Sequence, residues 1–224
     1  MRDVISIPES TAGSIGAGSH RIAVPWVLGL YGLASATFVV AARMAGWYGG
    51  AHSPFLLLPF AAVLGGLTQL LAAMWAFEGE DTLGTAMLGT WGSFWIGYGI
   101  LNALFLSGRL TEPSGPYPEL GFWFIPLALI TWMGAVAAAS TALTITLVFL
   151  AGGASIAAIA NISMHGGLMR LGAWLFIIAA VLAWYTATAM MFEAAWGRQL
   201  WPLGKLRQWI GPRPATMSSA RHAG

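Results

Sequence analysis

The sequence predicts an all-α membrane protein with six transmembrane helices and both termini on the cytoplasmic side. Hydrophobic residues make up 58% of the 224 residues and charged residues only 8%, whereas an ordinary soluble domain has roughly 25% charged residues. The charges are also segregated, because none lies between Glu119 and Arg170. A water-soluble chain so poor in charge lacks the side chains to cover its surface, and this favours a membrane protein.

Three apolar segments in the first half of the chain are long enough to span a bilayer, which takes about 20 mostly apolar residues. The predicted spans are residues 22–42, 54–77 and 83–106. A charged residue follows each of them: Arg43 after the first, Glu78 after the second and Arg109 after the third.

The second half of the chain predicts three more spans. After a Pro- and Gly-rich loop at residues 111–118, the charge-free stretch that follows Glu119 is too long for one helix. We divide it into a fourth and a fifth span near residues 139–144. The sixth span covers residues 171–192 and ends at Glu193.

The distribution of Lys and Arg predicts the orientation, because cytoplasmic segments carry the excess of these residues. Six spans place both tails on one side, which holds Arg2, Arg21, Arg198, Lys205, Arg207, Arg213 and Arg221. The other side holds Arg43, Arg109 and Arg170. We therefore expect cytoplasmic termini and a multi-pass protein of the inner (plasma) membrane.

The chain divides into a transmembrane domain and two tails. Residues 1–20 are rich in Ser and Gly without apolar periodicity, and we expect them to be disordered. Residues 21–204 form the predicted six-helix domain. Residues 205–224 form a basic tail that contains proline.

The residue inventory argues against enzymatic chemistry. The chain has no cysteine, which removes disulfides and thiolate chemistry. It has no phosphate-binding loop of the Gly-x-x-x-x-Gly-Lys type, its Ser, His and acidic residues are too scattered to nominate a catalytic triad, and no lysine lies in a predicted span. His52 and His165 are isolated, without metal-ligand spacing. We predict a non-enzyme that needs no cofactor or metal and does not bind nucleic acid.

Three polar and aromatic stretches interrupt this apolar chain and are typical of the lining of a narrow pore. They are residues 65–69 (Gly-Gly-Leu-Thr-Gln), 81–84 (Asp-Thr-Leu-Gly) and 91–95 (Trp-Gly-Ser-Phe-Trp). An amide within a span, as at Gln69 or Asn161, is costly unless it finds a partner. Such an amide either offers donors to a carboxylate or forms an interhelical hydrogen bond worth roughly 0.6–2 kcal/mol.

These motifs and their order resemble those of the acetate uptake transporter family, the succinate–acetate permease type. The family's Gly-Gly-x-x-Gln, Tyr-Gly-Ser-Phe-Trp and Ala-Ile-Gly-Asn motifs correspond to residues 65–69, 91–95 and 158–161. Its opening Asn-Pro-Ala-Pro-Leu-Gly motif is partly kept, with Pro25, Leu28 and Gly29. The resemblance covers roughly residues 25–204. It departs at the opening asparagine, which is Val24 here, and at the glutamate that ends the second span, which is Ala76.

The resemblance implies a homohexamer in which each protomer has its own pore, narrowed by side chains from the first, third and fifth helices. Carried over by motif position, the constriction residues are Leu33, Trp91 and Leu150. The substrate-binding candidates that follow from the polar positions are Gln69, Thr68, Thr90, Ser93 and Asn161. For the three hydroxyls the alternative is a bond back to the helix backbone, and for the two leucines it is ordinary packing in the core or against lipid. The indole N–H of Trp91, which stands where the family has tyrosine, can only donate, which suits an anion.

The resemblance also implies uptake of acetate and related short carboxylates, including succinate, by a channel-like or proton-linked route. No charged residue lies centrally in any span, so we expect a proton to travel with the substrate, as the neutral acid or beside the anion. Two alternatives remain: a channel for small neutral solutes, and a membrane scaffold that transports nothing.

Overall fold

The computed structural model describes residues 23–50 and 53–204, which form a bundle of helices. The predicted tails, residues 1–20 and 205–224, lie outside these residues. The helices are α1 (Pro25–Met44), α2 (Ser53–Pro59), a π-helix (Phe60–Leu67), α3 (Thr68–Glu78), α4 (Thr82–Leu106), α5 (Pro118–Ala137), α6 (Thr141–Ile162) and α7 (Gly166–Trp196). The second, third and fourth of these elements follow one another without a break and form the second predicted span.

Five helices of the described chain are long and apolar enough to cross a membrane. They are α1, residues 57–78 of the second span, α5, α6 and α7. The remaining helix, α4, has 25 residues and no charge but is not among them. Its Gly, Ser, Thr, Trp, Tyr and Asn residues lower its apolarity. The prediction of an all-helical membrane protein is confirmed, and α4 occupies the predicted third span.

Local capping decides where several helices begin. Ser140, in extended backbone between α5 and α6, accepts a hydrogen bond from the Leu143 N–H, so the break falls where the charge-free stretch was divided. His165 accepts from the Leu168 N–H and caps α7. This cap is why α7 begins five residues before the predicted start at residue 171. A side-chain acceptor at an N-cap satisfies one of the free N–H groups of the first turn.

The second span changes its helical pitch where it meets α1. The Thr68 N–H bonds to the Val63 carbonyl, five residues back. π-Helical turns inside α-helices are often found at functional sites. A Cβ added to Gly32 of α1 would lie 2.6 Å from the Leu64 carbonyl oxygen, so the two backbones are nearly in contact. The glycine is required because any side chain would separate them.

Glycines also let the second span approach α4. A Cβ added to Gly92 would lie 2.9 Å from the Leu70 nitrogen and 3.0 Å from the Gly66 oxygen. The Gly-Gly and Trp-Gly-Ser motifs therefore meet each other across this contact. In a membrane, where the hydrophobic effect does not drive helices together, such close packing is a main source of association.

The two ends of the bundle differ. At the end where α1, α4 and α6 begin, which we call the terminal end, the Trp26 indole N–H donates to Asp81 Oδ2 at 2.6 Å, and the Ala142 N–H donates to the Leu203 carbonyl. At the opposite end, the loop end, lie the last turns of α1 and α4 and the connection of residues 107–117. The helices that begin together at Trp26 and Asp81 run in the same direction.

Candidate functional site

A cavity of about 370 Å³ opens at the loop end of the bundle, and we call it the vestibule. It lies between the second halves of α1 and α4, the start of α7 and residues 112–117 of the connection before α5. Its wall is largely aromatic, with Trp91, Phe94, Trp95, Tyr98, Phe124 and Phe176. A concave apolar site with a few polar groups is the usual form of a small-molecule site.

The polar groups of the vestibule are few and mostly uncharged. Arg43 and Glu112 are the charged residues of its lining, near the mouth, and Thr37, Asn102 and Asn161 are among the neutral ones. Among residues 23–50 and 53–204, the structure holds no group of three or more His, Asp or Glu placed to bind a metal ion. The lining is therefore suited to a small organic ligand that is apolar over most of its surface.

Trp91 lies at the inner limit of the vestibule and is held on several sides. Its indole N–H donates to Thr131 Oγ1 at 3.0 Å, and the Thr131 hydroxyl donates to the Leu127 carbonyl at 2.6 Å. Its ring meets Phe94 and Phe176 edge to face, with centroids 5.6 and 6.4 Å apart. The N–H that we expected to face an anion is thus already used within the protein.

The other two predicted constriction residues lie deeper than the vestibule. Leu33 is 4% exposed and Leu150 is 1% exposed, and neither lines the cavity. Both belong, with Trp91, to one contiguous cluster of buried side chains. The vestibule therefore ends before it reaches these two leucines.

Gln69 is fully buried and does not line the vestibule. Its Nε2 donates to the Gly65 carbonyl at 2.7 Å, and its Oε1 has no partner. The side chain lies against Gly92 of α4. The structure therefore places Gln69 at the contact between the second span and α4, with an unused acceptor.

Asn161 lines the vestibule, but both ends of its amide are engaged. Its Nδ2 donates to the Ala157 carbonyl at 2.8 Å, and its Oδ1 accepts from the Tyr117 backbone N–H at 3.1 Å. The second of these bonds ties the end of α6 to the connection that covers the cavity. Asn161 thus holds residues 112–117 in place over the vestibule.

The three predicted hydroxyls are not brought together. Thr68 donates to the Val63 carbonyl at 3.2 Å, as expected of a hydroxyl that bonds back to its own helix. Thr90 is half-buried, and Ser93 is exposed on the outside of the chain. None of the three lines the vestibule.

Tyr117, which precedes α5, carries a strongly shifted pKa. The pKa of Tyr117 is raised to about 12, chiefly because the phenol is buried and also because Tyr98, Glu119 and Glu112 lie nearby. The phenol therefore stays neutral at any physiological pH. The vestibule rim keeps its hydroxyl as a donor and gains no negative charge there.

Sequence reasoning assigned no individual role to three polar residues of this region, Thr37, Trp95 and Thr131, although Trp95 lies in the predicted pore-lining stretch of residues 91–95. Thr37 lies four residues after Leu33, and Trp95 lies four residues after Trp91, so each shares a helix face with a predicted constriction residue. That spacing was the signal available for the first two. Thr131 gave no signal, because its role depends on α5 packing beside Trp91.

Comparison with known proteins finds one family profile and several relatives that this chain resembles. The profile of the GPR1/FUN34/yaaH family matches residues 10–197. The ammonia transport outward protein 2 of Saccharomyces cerevisiae is 33% identical over 175 residues, which cover 76% of this chain and 62% of the relative. Acetate permease A of Emericella nidulans is 29% identical over 192 residues, covering 79% of this chain and 64% of the relative. This chain therefore spans about two thirds of the length of these fungal relatives.

A bacterial relative matches over nearly its full length. The succinate-acetate/proton symporter SatP of Escherichia coli K12 is 23% identical over 197 residues, which cover 84% of this chain and 98% of the relative. Among solved structures, that of the bacterial acetate channel SatP superposes with a TM-score of 0.73 at 22% identity, covering 82% of this chain and all of that one. At this identity the superposition establishes the fold.

Proposed function

Because the chain belongs to the GPR1/FUN34/yaaH family, we propose that it is a membrane transporter or channel for acetate and related short-chain carboxylates, including succinate. The observation that supports this most directly is the aromatic vestibule ending at Trp91. Two relatives named for acetate, the permease and the bacterial symporter, point the same way. The volume of about 370 Å³ leaves room for a small acid.

The packed interior beyond Trp91 supports passage as the neutral acid. Leu33 and Leu150 offer no polar atom to a substrate, and burying an isolated carboxylate costs tens of kcal/mol by Born estimates. No Asp, Glu, Lys or Arg lies in the middle of a described helix to serve as a separate relay. A proton carried on the substrate removes that cost, which makes the transport proton-linked without an intramembrane carboxylate.

We place the vestibule on the side opposite the cytoplasm, since the excess of Lys and Arg lies at the terminal end and in the tails. We also propose that the protein resides in the inner (plasma) membrane and forms a homohexamer with one pore in each protomer, as the family resemblance implies. Native mass spectrometry of the purified protein tests the oligomeric state.

Flux of labelled acetate into liposomes tests the proposed function, with Trp91 as the residue that closes the path. Trp91→Ala opens the floor of the vestibule, and we expect acetate flux to rise about tenfold, because each ~1.4 kcal/mol removed from a barrier gives a tenfold rate. Trp91→Phe keeps an aromatic plug and is expected to change flux less. Trp132→Phe serves as control, because Trp132 is exposed and donates to Ser155 away from the cavity.

A second candidate, a channel for small neutral solutes, is favoured by one observation. The yeast relative with 33% identity is named for ammonia transport. If liposomes that contain the wild-type protein pass ammonia, urea or glycerol but not acetate, this second proposal replaces the first. Liposomes that pass none of these solutes would favour a scaffold.

A further inference from the structure

Two buried hydrogen-bond donors in the vestibule wall have no acceptor. They are the indole Nε1 of Trp95 and the Oγ1 of Thr37, and both residues line the vestibule and are 3% exposed. Buried polar atoms are nearly always paired, so each exception calls for an explanation such as a missing ligand.

Thr37 differs from the other buried threonines of the described chain. Thr131, Thr146 and Thr186 each donate to the carbonyl four residues back, which is the ordinary way a helix satisfies such a hydroxyl. Thr37 does not, although it lies within α1 and has the same option.

Trp95 also lacks a hydrogen bond that three other tryptophans of the described chain make. The indole N–H of Trp26 donates to Asp81, that of Trp91 to Thr131 and that of Trp132 to Ser155. Trp95 is as buried as Trp91, yet its N–H is unpartnered. An indole nitrogen can only donate, so what it lacks is an acceptor.

The two donors belong to the same layer of the bundle. Thr37 is one helical turn beyond Leu33 and Trp95 is one turn beyond Trp91, toward the loop end in both cases because α1 and α4 run in the same direction. A Cβ added to Gly65 would lie 2.6 Å from the Ala36 Cβ and 3.1 Å from the Trp95 Cδ1. The atom next to the Trp95 Nε1 is therefore close to the residue that precedes Thr37.

We propose that Trp95 Nε1 and Thr37 Oγ1 form a binding site for the carboxylate group of the substrate, directly above the constriction. The inference rests on the proposed function and assigns the donors of that site. A carboxylate has two acceptor oxygens and takes hydrogen bonds from neutral donors without a fixed positive charge nearby. The Phe94 and Phe176 rings, which also line the vestibule, cover its apolar body.

The donors predicted from the sequence do not contribute to this site. The N–H of Trp91 and the amides of Gln69 and Asn161 are engaged within the protein. The binding donors lie one turn from the predicted ones on the same helix faces of α1 and α4. Gln69 Oε1, the third unpaired buried atom, is an acceptor, and its residue does not line the vestibule.

Single substitutions that remove one donor at a time test the site. Thr37→Val replaces the hydroxyl with a methyl group of similar shape, and Thr37→Ser keeps it. Trp95→Phe removes the N–H. In purified protein we expect Thr37→Val and Trp95→Phe each to weaken acetate binding about tenfold, the loss expected for one hydrogen bond to a charged group. Thr37→Ser should bind acetate as the wild type does.

The melting temperature without ligand supplies a second readout. Removing an unpaired polar atom leaves no partner stranded, so Thr37→Val should melt no lower than Thr37→Ser in the absence of acetate. The control Thr144→Val removes a hydroxyl that is paired with the Ser140 carbonyl. It should melt lower than the wild type and bind acetate unchanged.

Two outcomes would overturn the site. One is unchanged acetate affinity in both Thr37→Val and Trp95→Phe. The other is a loss of affinity in Thr37→Ser as large as in Thr37→Val, which would show that the shape of the wall matters and the hydroxyl does not. Flux measurements separate this inference from the proposed function. If both variants show acetate flux with an unchanged KM, the proposed site is wrong and the proposed function stands. If acetate binds through these donors but no flux is seen, the proposed function is wrong and the site stands.

Discussion

Trp91 and Trp95 lie one helical turn apart on α4, and their indole N–H groups differ in one decisive respect. That of Trp91 is taken by Thr131, and that of Trp95 has no acceptor. The sequence shows two similar residues in one motif, because residue type and spacing do not reveal which N–H finds a partner. Thr131, on a different helix, makes the difference, and no feature of its local sequence marks it.

Tyr117 gives a prediction for alkaline pH. Its pKa is raised to about 12 in the folded protein, against about 10 in an unfolded chain. Between these values the unfolded chain loses the proton while the folded protein retains it, so stability present below pH ~10 falls as pH rises toward ~12. Tyr117→Phe should remove this contribution, and the melting temperature measured from neutral to alkaline pH should fall less steeply than in the wild type.

If the melting temperatures of the wild type and Tyr117→Phe fell equally steeply from neutral to alkaline pH, the raised pKa of Tyr117 would be contradicted. Phenylalanine keeps the ring that meets Phe105, with centroids 6.4 Å apart. At neutral pH the two proteins should therefore differ little in melting temperature.

At the scale of elements, the helices were largely predictable and their irregularities were not. Long apolar segments and the charges that follow them locate the spans, and the Ser140 cap lies inside the range at which the charge-free stretch was divided. The π-helix was missed because a change of pitch leaves the apolar composition unchanged. The weak apolarity of α4 has two sources. Trp91, Trp95, Tyr98 and Asn102 line the vestibule, and glycines on another part of the helix let the second span approach.

The contact between the second span and α4 gives a prediction for stability. Gly92→Ala should lower the free energy of unfolding by about 1–3 kcal/mol, the usual cost of overpacking, because the added Cβ would lie 2.9 Å from the Leu70 nitrogen. Gly89→Ala, on the same helix, is the control. Its Cβ would meet Ala73 at an ordinary 3.7 Å, and alanine favours a helix by up to about 1 kcal/mol. Denaturation of both variants in detergent measures the difference.

A Gly92→Ala variant as stable as Gly89→Ala would mean that the second span and α4 separate easily. The close approach of Gly66 and Gly92 would then not be needed for the fold.

At the scale of the whole molecule, the two ends of the bundle have different roles. The terminal end is joined by Trp26, Asp81 and the Ala142–Leu203 bond, and the loop end holds the vestibule. The basic residues predict which end faces the cytoplasm, and the structure shows that the cavity lies at the other one. The depth of the vestibule was not predictable, because it depends on how the side chains of different helices pack together in the core.

The absence of cysteine from the sequence allows a clean test of orientation. Ser114 is exposed at the loop end and Gln199 is exposed at the terminal end. On intact cells, a membrane-impermeant maleimide should label Ser114→Cys and should label Gln199→Cys only after permeabilisation, since the positive-inside rule places the terminal end in the cytoplasm. The unsubstituted chain is the blank.

The reverse labelling pattern would invert the assignment. The vestibule would then be a cytoplasmic chamber, and the structure would describe a protein that loads from within the cell.

Because the vestibule opens at one end of the bundle, an inhibitor that binds in it should act from one side of the membrane only. A carboxylic acid whose body is too broad to pass Trp91 would enter from the loop end, remain bound in the vestibule and block it. The same compound arriving at the terminal end meets the packed indole of Trp26, which is 8% exposed. Inhibitors designed for the vestibule would act from one face of the bilayer and have no effect from the other.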